Sequence, residues 1–559
     1  MQVTRSVTVA DNTATLPRLY RPLPRAVTRP LSILALAAWV VTMGVLINRS
    51  YLQASSRNLA TDLARYGTTA QWRGVYYRGE KIGFTVSQVQ ATDDGFELQE
   101  DGRLQFSLLG STTAAILKTT ARVDRSFALK SFDFSLDPGT GPMSIKGRLD
   151  GLDLSLDIGS ASGSRRETRR LTEAPSLMLS VGRRLAAEGL AAGTTKEWMV
   201  FDPATMKNAP VAIAIGAREV VTAGARRPIP AFKVDMTFSG LTTTSWITDT
   251  GEIVREESPM GLITILETQA QATALAVSNT MQADMLQAAA IVPTMARRQR
   301  IVEPRDVKRL RLRLIGADLS NADVEGSGQS VKGEFIELTD PRELTAMAAP
   351  GDLDQYLRAE PFIESDAPEI RAEAEKMVAG ITGTRARAER LTREVNALLE
   401  KKPTVSLPSA LEVLRTKVGD CNEHTALFVA LARSIGIPSR INVGVVYVRG
   451  AFYYHAWPEV YIDEGNGRGL WLPVDPTFNQ FPADATHLRL ARGGLDKQAA
   501  ILPLIGKVKM YVSDVEVAPN STPILVGRQA SDPRPLSIDI PTRQGACGCW
   551  ASPCSGGGR

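Results

Sequence analysis

Cysteine and histidine are scarce in this chain, four of one and three of the other among 559 residues. The scarcity excludes a disulfide framework, because Cys421 stands alone in the body while Cys547, Cys549 and Cys554 crowd together at the end. No histidine lies near those three thiols, so no metal site is expected there, and no cofactor is expected anywhere. An excess of one charge is missing too. Sixty-five Lys and Arg against sixty Asp and Glu leave a net +5, spread along the chain rather than gathered into basic blocks. Capture of nucleic acid through its phosphates is therefore not supported. Plentiful instead are Gly, at 45, and Pro, at 32, which point to many turns and a large share of β-structure. The length implies two or three domains.

One apolar run, Leu31 to Ile47, holds seventeen residues without a charge, the lower limit for crossing a bilayer. Before it stand Arg5, Arg18, Arg21, Arg25 and Arg29 against the single acid Asp11. The positive-inside tendency then keeps residues 1–30 as a basic cytoplasmic tail, makes 31–47 a transmembrane helix and exports the remainder of the chain. The expectation is a single-pass protein of the bacterial inner membrane whose bulk faces the periplasm or the outside. Residues 48–70 read as a linker, and 541–559, ending in a glycine run, as a disordered Cys/Gly tail.

From 71 to 275 the chain alternates apolar and polar residues between turn signals at Asp94-Gly95, Asp101-Gly102 and Asp249-Thr250-Gly251, as antiparallel hairpins require. This β-rich exported domain contains neither His nor Cys from Trp72 to Leu275, so a structural or substrate-binding role is expected of it. A connecting segment over 276–350 comes next, then a domain over 351–500 and a C-terminal extension over 501–540.

Within 351–500 the period changes to that of a helix. Ile370, Ala374, Met377, Val378 and Ile381 share one face, and Leu391, Val395, Leu398 and Leu399 form a second stripe that ends before Pro403. Ser409 with Glu412, and Asp420 with Glu423, have capping-box spacing, and the second pair places Cys421 at the first helical position. That helix should stop at Gly436. The strands RINVGVVYVR, AFYYHAWPEVYI and LWLPVDP come next. The fold class is α+β.

A helix N-terminus with a neighbouring imidazolium lowers a thiol pKa, and Cys421 has the first of these. Of the three histidines, His424 rides the same helix and reads as a wall of the site or an exposed residue, and His487 reads as structural. His455 sits mid-strand with Trp457 and Glu459 on its face, and the following strand delivers Asp475 at its end. Glu459 reads as a salt-bridged strand residue, with helping to orient His455 as the second option. Arg433 and Arg440 read as ion-pair partners, and Trp457 and Trp471 as core aromatics.

Three stretches, GDCNEHTALFVALARSIGIPSR, YYHAWPEVYI and WLPVDPTFN, resemble the Cys, His and Asp segments of the transglutaminase-like superfamily, papain-like cysteine enzymes, over about 350–500. The resemblance implies a Cys helix packed on an antiparallel sheet, with Cys421 as nucleophile, His455 as general base and acid, and Asp475 orienting the histidine. It also implies a protein or peptide substrate, cleaved at a peptide or isopeptide bond through a Cys421 acyl-enzyme. Transamidation, as in protein crosslinking, is the alternative reaction, and a non-catalytic envelope scaffold or binding protein the alternative class. The Trp or Gln that supports the oxyanion in relatives is absent between Arg385 and Cys421. The backbone N–H of Cys421 is one remaining donor and Asn422 a second candidate.

Overall fold

The computed structural model describes residues 66–518 except 68, 109–110, 138–141, 161–162, 223–227, 259–260, 275–289, 317–318, 320–321, 403–408 and 495–507. The basic tail, the apolar run Leu31–Ile47 and the Cys/Gly tail lie outside the described residues. Among the described residues no helix is long and apolar enough to cross a membrane.

Fifteen strands between Gln71 and Glu267 form one sheet. The strand Gln71–Tyr77 lies mid-sheet, between Glu80–Thr92 and Leu262–Glu267. Antiparallel pairings run outward from it, to Gly163–Arg170 at one edge and, through a last parallel pairing, to Ser176–Leu177 at the other. Alternation decides the faces: Phe132, Phe134, Ile145, Leu154 and Leu156 are buried, while Asp133 and Lys146 between them are exposed. The sheet curls so that these side chains join Leu177 and Phe201 in one cluster. Each such burial stabilises by about 2 kcal/mol. Gly147 admits the Phe132 ring, since a Cβ there would lie 2.0 Å from a ring carbon. Asp101-Gly102 is not a turn. Both residues lie inside the strand Gly95–Leu108, with Asp101 opposite Val86 on one side and Lys118 on the other, and the chain turns before Gly95 instead.

The stretch expected as a connecting segment contributes four strands to a sheet. Thr294–Met295, Val307–Ile315, Gln329–Lys332 and Phe335–Thr339 join Lys509–Val517, from the expected C-terminal extension, in a five-stranded sheet. Alternation in VKRLRLRLI puts Leu310 and Leu312 in the same core as the Cys421 helix, and a bulge between Val307 and Arg309 turns Val307 to that side as well. Each strand can show its own alternation, but pairing between residues some two hundred positions apart leaves no local signal of which segments join, which is why both read as flanking segments.

The helices Pro368–Met377, Thr384–Leu398 and Ala410–Thr416 surround the helix Cys421–Ser434, which is buried from Glu423 onward. A helix apolar on all sides must sit at the centre of its domain. It packs on a five-stranded sheet ordered Met347–Ala348, Arg468–Pro473, Ala451–Gly465, Ser439–Val448, Leu488–Arg492. Gly444 faces His455 across that sheet, and a Cβ on it would lie 1.9 Å from the Leu488 carbonyl oxygen. The glycine thus lets the strand carrying Leu488 close in beside the histidine strand.

Candidate active site

Asp420 opens the buried helix. Its carboxylate accepts the Asn422 N–H at 2.9 Å, and the Glu423 carboxylate accepts the Asp420 N–H at 2.9 Å, the reciprocal capping box that the spacing predicts. Cys421 is the first helical residue, partly buried. The N–H of Ala456, the residue after His455, points at its sulfur. Helix start and histidine strand therefore meet at the thiol.

His455 is buried, and its Nε2 stands 2.7 Å from Asp475 Oδ2. Its ring lies against Phe478 at 5.0 Å and 25°, and against Trp457 at 5.9 Å and 16°. Asp475 Oδ1 accepts the N–H groups of Thr477 at 2.7 Å and Phe478 at 3.0 Å. Asn396, on the helix Thr384–Leu398, holds the same loop by donating to the carbonyls of Pro476 at 2.8 Å and Thr477 at 3.0 Å. Burial alone would raise the Asp475 carboxyl, but His455 and His487 hold it far below the usual carboxylate range. An ionised carboxylate only accepts, so His455 Nε2 donates, and in the neutral ring Nδ1 carries the basic lone pair.

His487, read from the sequence as structural, comes to the same place. Its Nε2 is 3.0 Å from Asp475 Oδ2, and its Nδ1 is 3.2 Å from Asp484 Oδ1. The tight turn from Gln480 to His487 brings it there, a proximity with no strand or helix period to announce it. Candidate metal-binding atoms of His455, Asp475 and His487 lie within 4.8 Å of one another. Hydrogen bonds already join both imidazoles to Asp475, so the three form a hydrogen-bonded cluster rather than a ligand set.

His424 is fully buried, not exposed: its Nδ1 donates to the Asp420 carbonyl at 2.6 Å, and burial lowers its pKa, so the ring is neutral at pH 7. Glu459 does not orient His455. It pairs instead with Arg440 at 2.7 Å, Arg492 at 3.4 Å and Arg489 at 3.5 Å. Arg433 pairs with Glu360 at 2.7 Å, and Arg440 also stacks on Trp471 at 3.9 Å.

The thiol departs from expectation. Burial pushes Cys421 well above the ordinary cysteine value, and Asp420, Glu423 and Asp475 push the same way against the Ala456 N–H. Burial is the larger cause, and the cap adds to it, since a carboxylate at the N-cap cancels the positive end of the helix at the point where the sulfur sits. Asn422 spends its N–H on the cap, and its Oδ1 lies 3.4 Å from the Tyr454 hydroxyl. Tyr454, overlooked because strand alternation sets it opposite to His455, is kept protonated far above neutral by burial and by Cys421 itself.

Residues 371–476 match the core of the transglutaminase-like superfamily. Cys421, His455 and Asp475 all fall inside the matched segment. Two similar solved structures are a candidate cysteine protease from Cytophaga hutchinsonii, at 16% identity over 38% of this chain and 86% of that one with TM-score 0.25, and a β-barrel-like protein of a domain family of unknown function from Brucella abortus, at 11% identity over 35% and 96% with TM-score 0.29. A third, a candidate protease from Parabacteroides distasonis, is 10% identical over 62% and 68% with TM-score 0.17. No curated relative matches the sequence.

Proposed function

We propose that this chain, with its transglutaminase-like core at 371–476, is a thiol enzyme that cleaves an amide, a peptide or isopeptide, through an acyl-enzyme on Cys421. One observation carries the reading: an imidazole fixed by a buried carboxylate lies on the strand whose next N–H meets a thiol at a helix start. In the reaction, the Cys421 proton passes to His455 Nδ1 as sulfur attacks the amide carbon. The imidazolium returns that proton to the departing nitrogen as the C–N bond breaks. Water then attacks the thioester, giving a proton to Nδ1 and restoring the thiol. Tyr454, a protonated phenol near the sulfur whose O–H rests weakly on Asn422 Oδ1, would turn that hydrogen bond to the oxyanion beside the Cys421 N–H. Asp475 keeps Nε2 protonated, so that Nδ1 stays the base.

Incubating the full-length protein with peptides bearing glutamine side chains or isopeptide bonds should leave a hydroxylamine-sensitive acyl mass on the Cys421 peptide, absent in Cys421→Ala. Unchanged Cys421 with every peptide, in protein whose thiol still alkylates, would sink the reading. Added primary amine separates hydrolysis from transamidation by the product formed.

The site is further proposed to work outside the bacterial cytoplasm, tethered to the inner membrane by Leu31–Ile47, on the strength of the arginines that precede that run. A reporter fused after Arg559 should then be active only when exported, and activity in the cytoplasm would overturn the topology.

A further inference from the structure

Two buried side chains, His487 and Asp484, stand behind the His455–Asp475 pair and take no part in the reaction above. Asp475 Oδ1 is occupied by two backbone N–H groups, so Oδ2 alone serves both imidazoles, His455 at 2.7 Å and His487 at 3.0 Å. On its other side His487 Nδ1 faces the Asp484 carbonyl oxygen at 3.1 Å and Oδ1 at 3.2 Å. Both ring nitrogens of His487 thus look at oxygens that can only accept, an arrangement that a neutral imidazole, with one N–H, cannot satisfy. We infer that His487 is a positioning residue, a cation pinned between Asp475 and Asp484 that fixes the shared carboxylate and sets the pH at which the Cys421–His455 pair becomes reactive. The inference rests on the thiol-enzyme reading.

The electrostatics run in the same direction. Burial alone would lower the His487 pKa, but Asp484 and Asp475 raise it to about 9. Asp484 is in turn held down by His487 and by hydrogen bonds from Thr486, and it also accepts from Gln480 at 2.9 Å. Other groups face the cluster as well. The His455 ring is 5.7 Å away, and Trp457 presents its ring edge-on at 5.1 Å. Across a cavity of about 20 Å³ stand Glu459 and Arg489, which pair with each other. Cys421 and Lys401 also lie in the field of Asp475. With His487 charged, the two carboxylates and the cation sum to one negative charge, enough to orient His455 without locking a proton on it. Neutralising the cation would leave two negative charges behind the pair and make thiol deprotonation harder.

The test is the pH profile of Cys421 alkylation by iodoacetamide in the full chain, read by mass on the Cys421 peptide so that the three tail thiols are scored apart. His487→Gln keeps a donor toward Asp475 but removes the charge, and its alkylation midpoint should rise by about one pH unit, about tenfold in rate below the midpoint. Asp484→Asn, which keeps the shape of the turn and weakens the hold on the His487 proton, should shift the same way. Profiles of both variants that overlay the unmodified protein, while His455→Ala loses reactivity, overturn the role of His487 and leave the thiol enzyme standing. A His455→Ala profile that also overlays it overturns the thiol–imidazole reading itself. In the unmodified chain, the His487 ring resonances should stay in the protonated form through pH 8. Titration near 6.5 would refute the pinned cation even if neither variant folds.

Discussion

His455→Ala should lower the rate of Cys421 acylation or alkylation at neutral pH by about a hundredfold to a thousandfold, while His424→Ala should change it less than tenfold. The asymmetry comes from the surroundings of the sulfur. Burial and the carboxylates of Asp420, Glu423 and Asp475 push the thiol up, so the helix terminus by itself leaves almost no thiolate at pH 7. A base has to take the proton. His455 has its Nε2 tied to Asp475 and its other nitrogen free for the task. His424 also has one free nitrogen, its Nε2, but burial disfavours its protonated form and no carboxylate supports its Nδ1, which donates to the Asp420 carbonyl, so it is the weaker proton acceptor. Asp420→Asn keeps an oxygen to cap the helix but removes the nearest negative charge, so it should move the alkylation midpoint down in pH, opposite to His455→Ala. Stopped-time alkylation with peptide-resolved mass detection reads all three. Equal losses from the two histidine variants, or a midpoint raised by Asp420→Asn, would show that the site has been assigned to the wrong imidazole or the wrong field.

The second large effect is on stability, at the fully buried Glu459. Arg489 and Arg492 from the edge strand Leu488–Arg492 and Arg440 from its neighbour Ser439–Val448 converge on it, and Arg489 is itself buried and pushed down to about 10, largely by that burial. Glu459→Gln keeps the volume but leaves buried Arg489 only the half-exposed Asp323, 3.9 Å away, as counter-charge, and unfolding should become easier by about 3 kcal/mol, the usual consequence of breaking a buried pair from one side. Burial alone would raise the Glu459 carboxyl, yet Arg440, Arg492 and Arg489 bring it down to about 2. Acid therefore works against the pairing. Because the unfolded carboxyl titrates near 4.3, the pairing stabilises fully above about pH 5 and fades as the pH falls toward 2. Melting of the two proteins should differ most above about pH 5 and converge as the pH falls toward 2. A gap that persists in acid would mean that shape at residue 459, rather than its charge, holds the sheet edge.

The arrangement of the candidate site was legible wherever it is local. A capping box is spaced three residues apart, so Asp420 and Glu423 announced the helix and put Cys421 at its start. Strand alternation put His455 and Trp457 on one face, and the end of the next strand delivered Asp475 to His455. The apolar alternation of residues 71–275 announced a sheet, because period two is a property of the strand itself. Asp101-Gly102 misled for the complementary reason. Turn-prone residues bend a chain only when their neighbours do not already hold it in a ladder, and here Val86 and Lys118 hold Asp101 from both sides.

Tertiary structure alone decided whatever depends on partners far along the chain. No sequence period joins Val307–Ile315 to Lys509–Val517, and only folding shows that segments read as a connector and an extension close one sheet over the Cys421 core. No period brings His487 to the oxygen that His455 already uses. The thiol belongs to the same class. A helix N-terminus and a histidine in the sequence predict a lowered pKa, but desolvation and the summed field of Asp420, Glu423 and Asp475 exist only once the chain has packed, and they reverse the sign. Residue types and short spacings fix which groups the site contains. Burial and the through-space sum of charges fix their protonation, because both scale with distances that the folded chain alone defines.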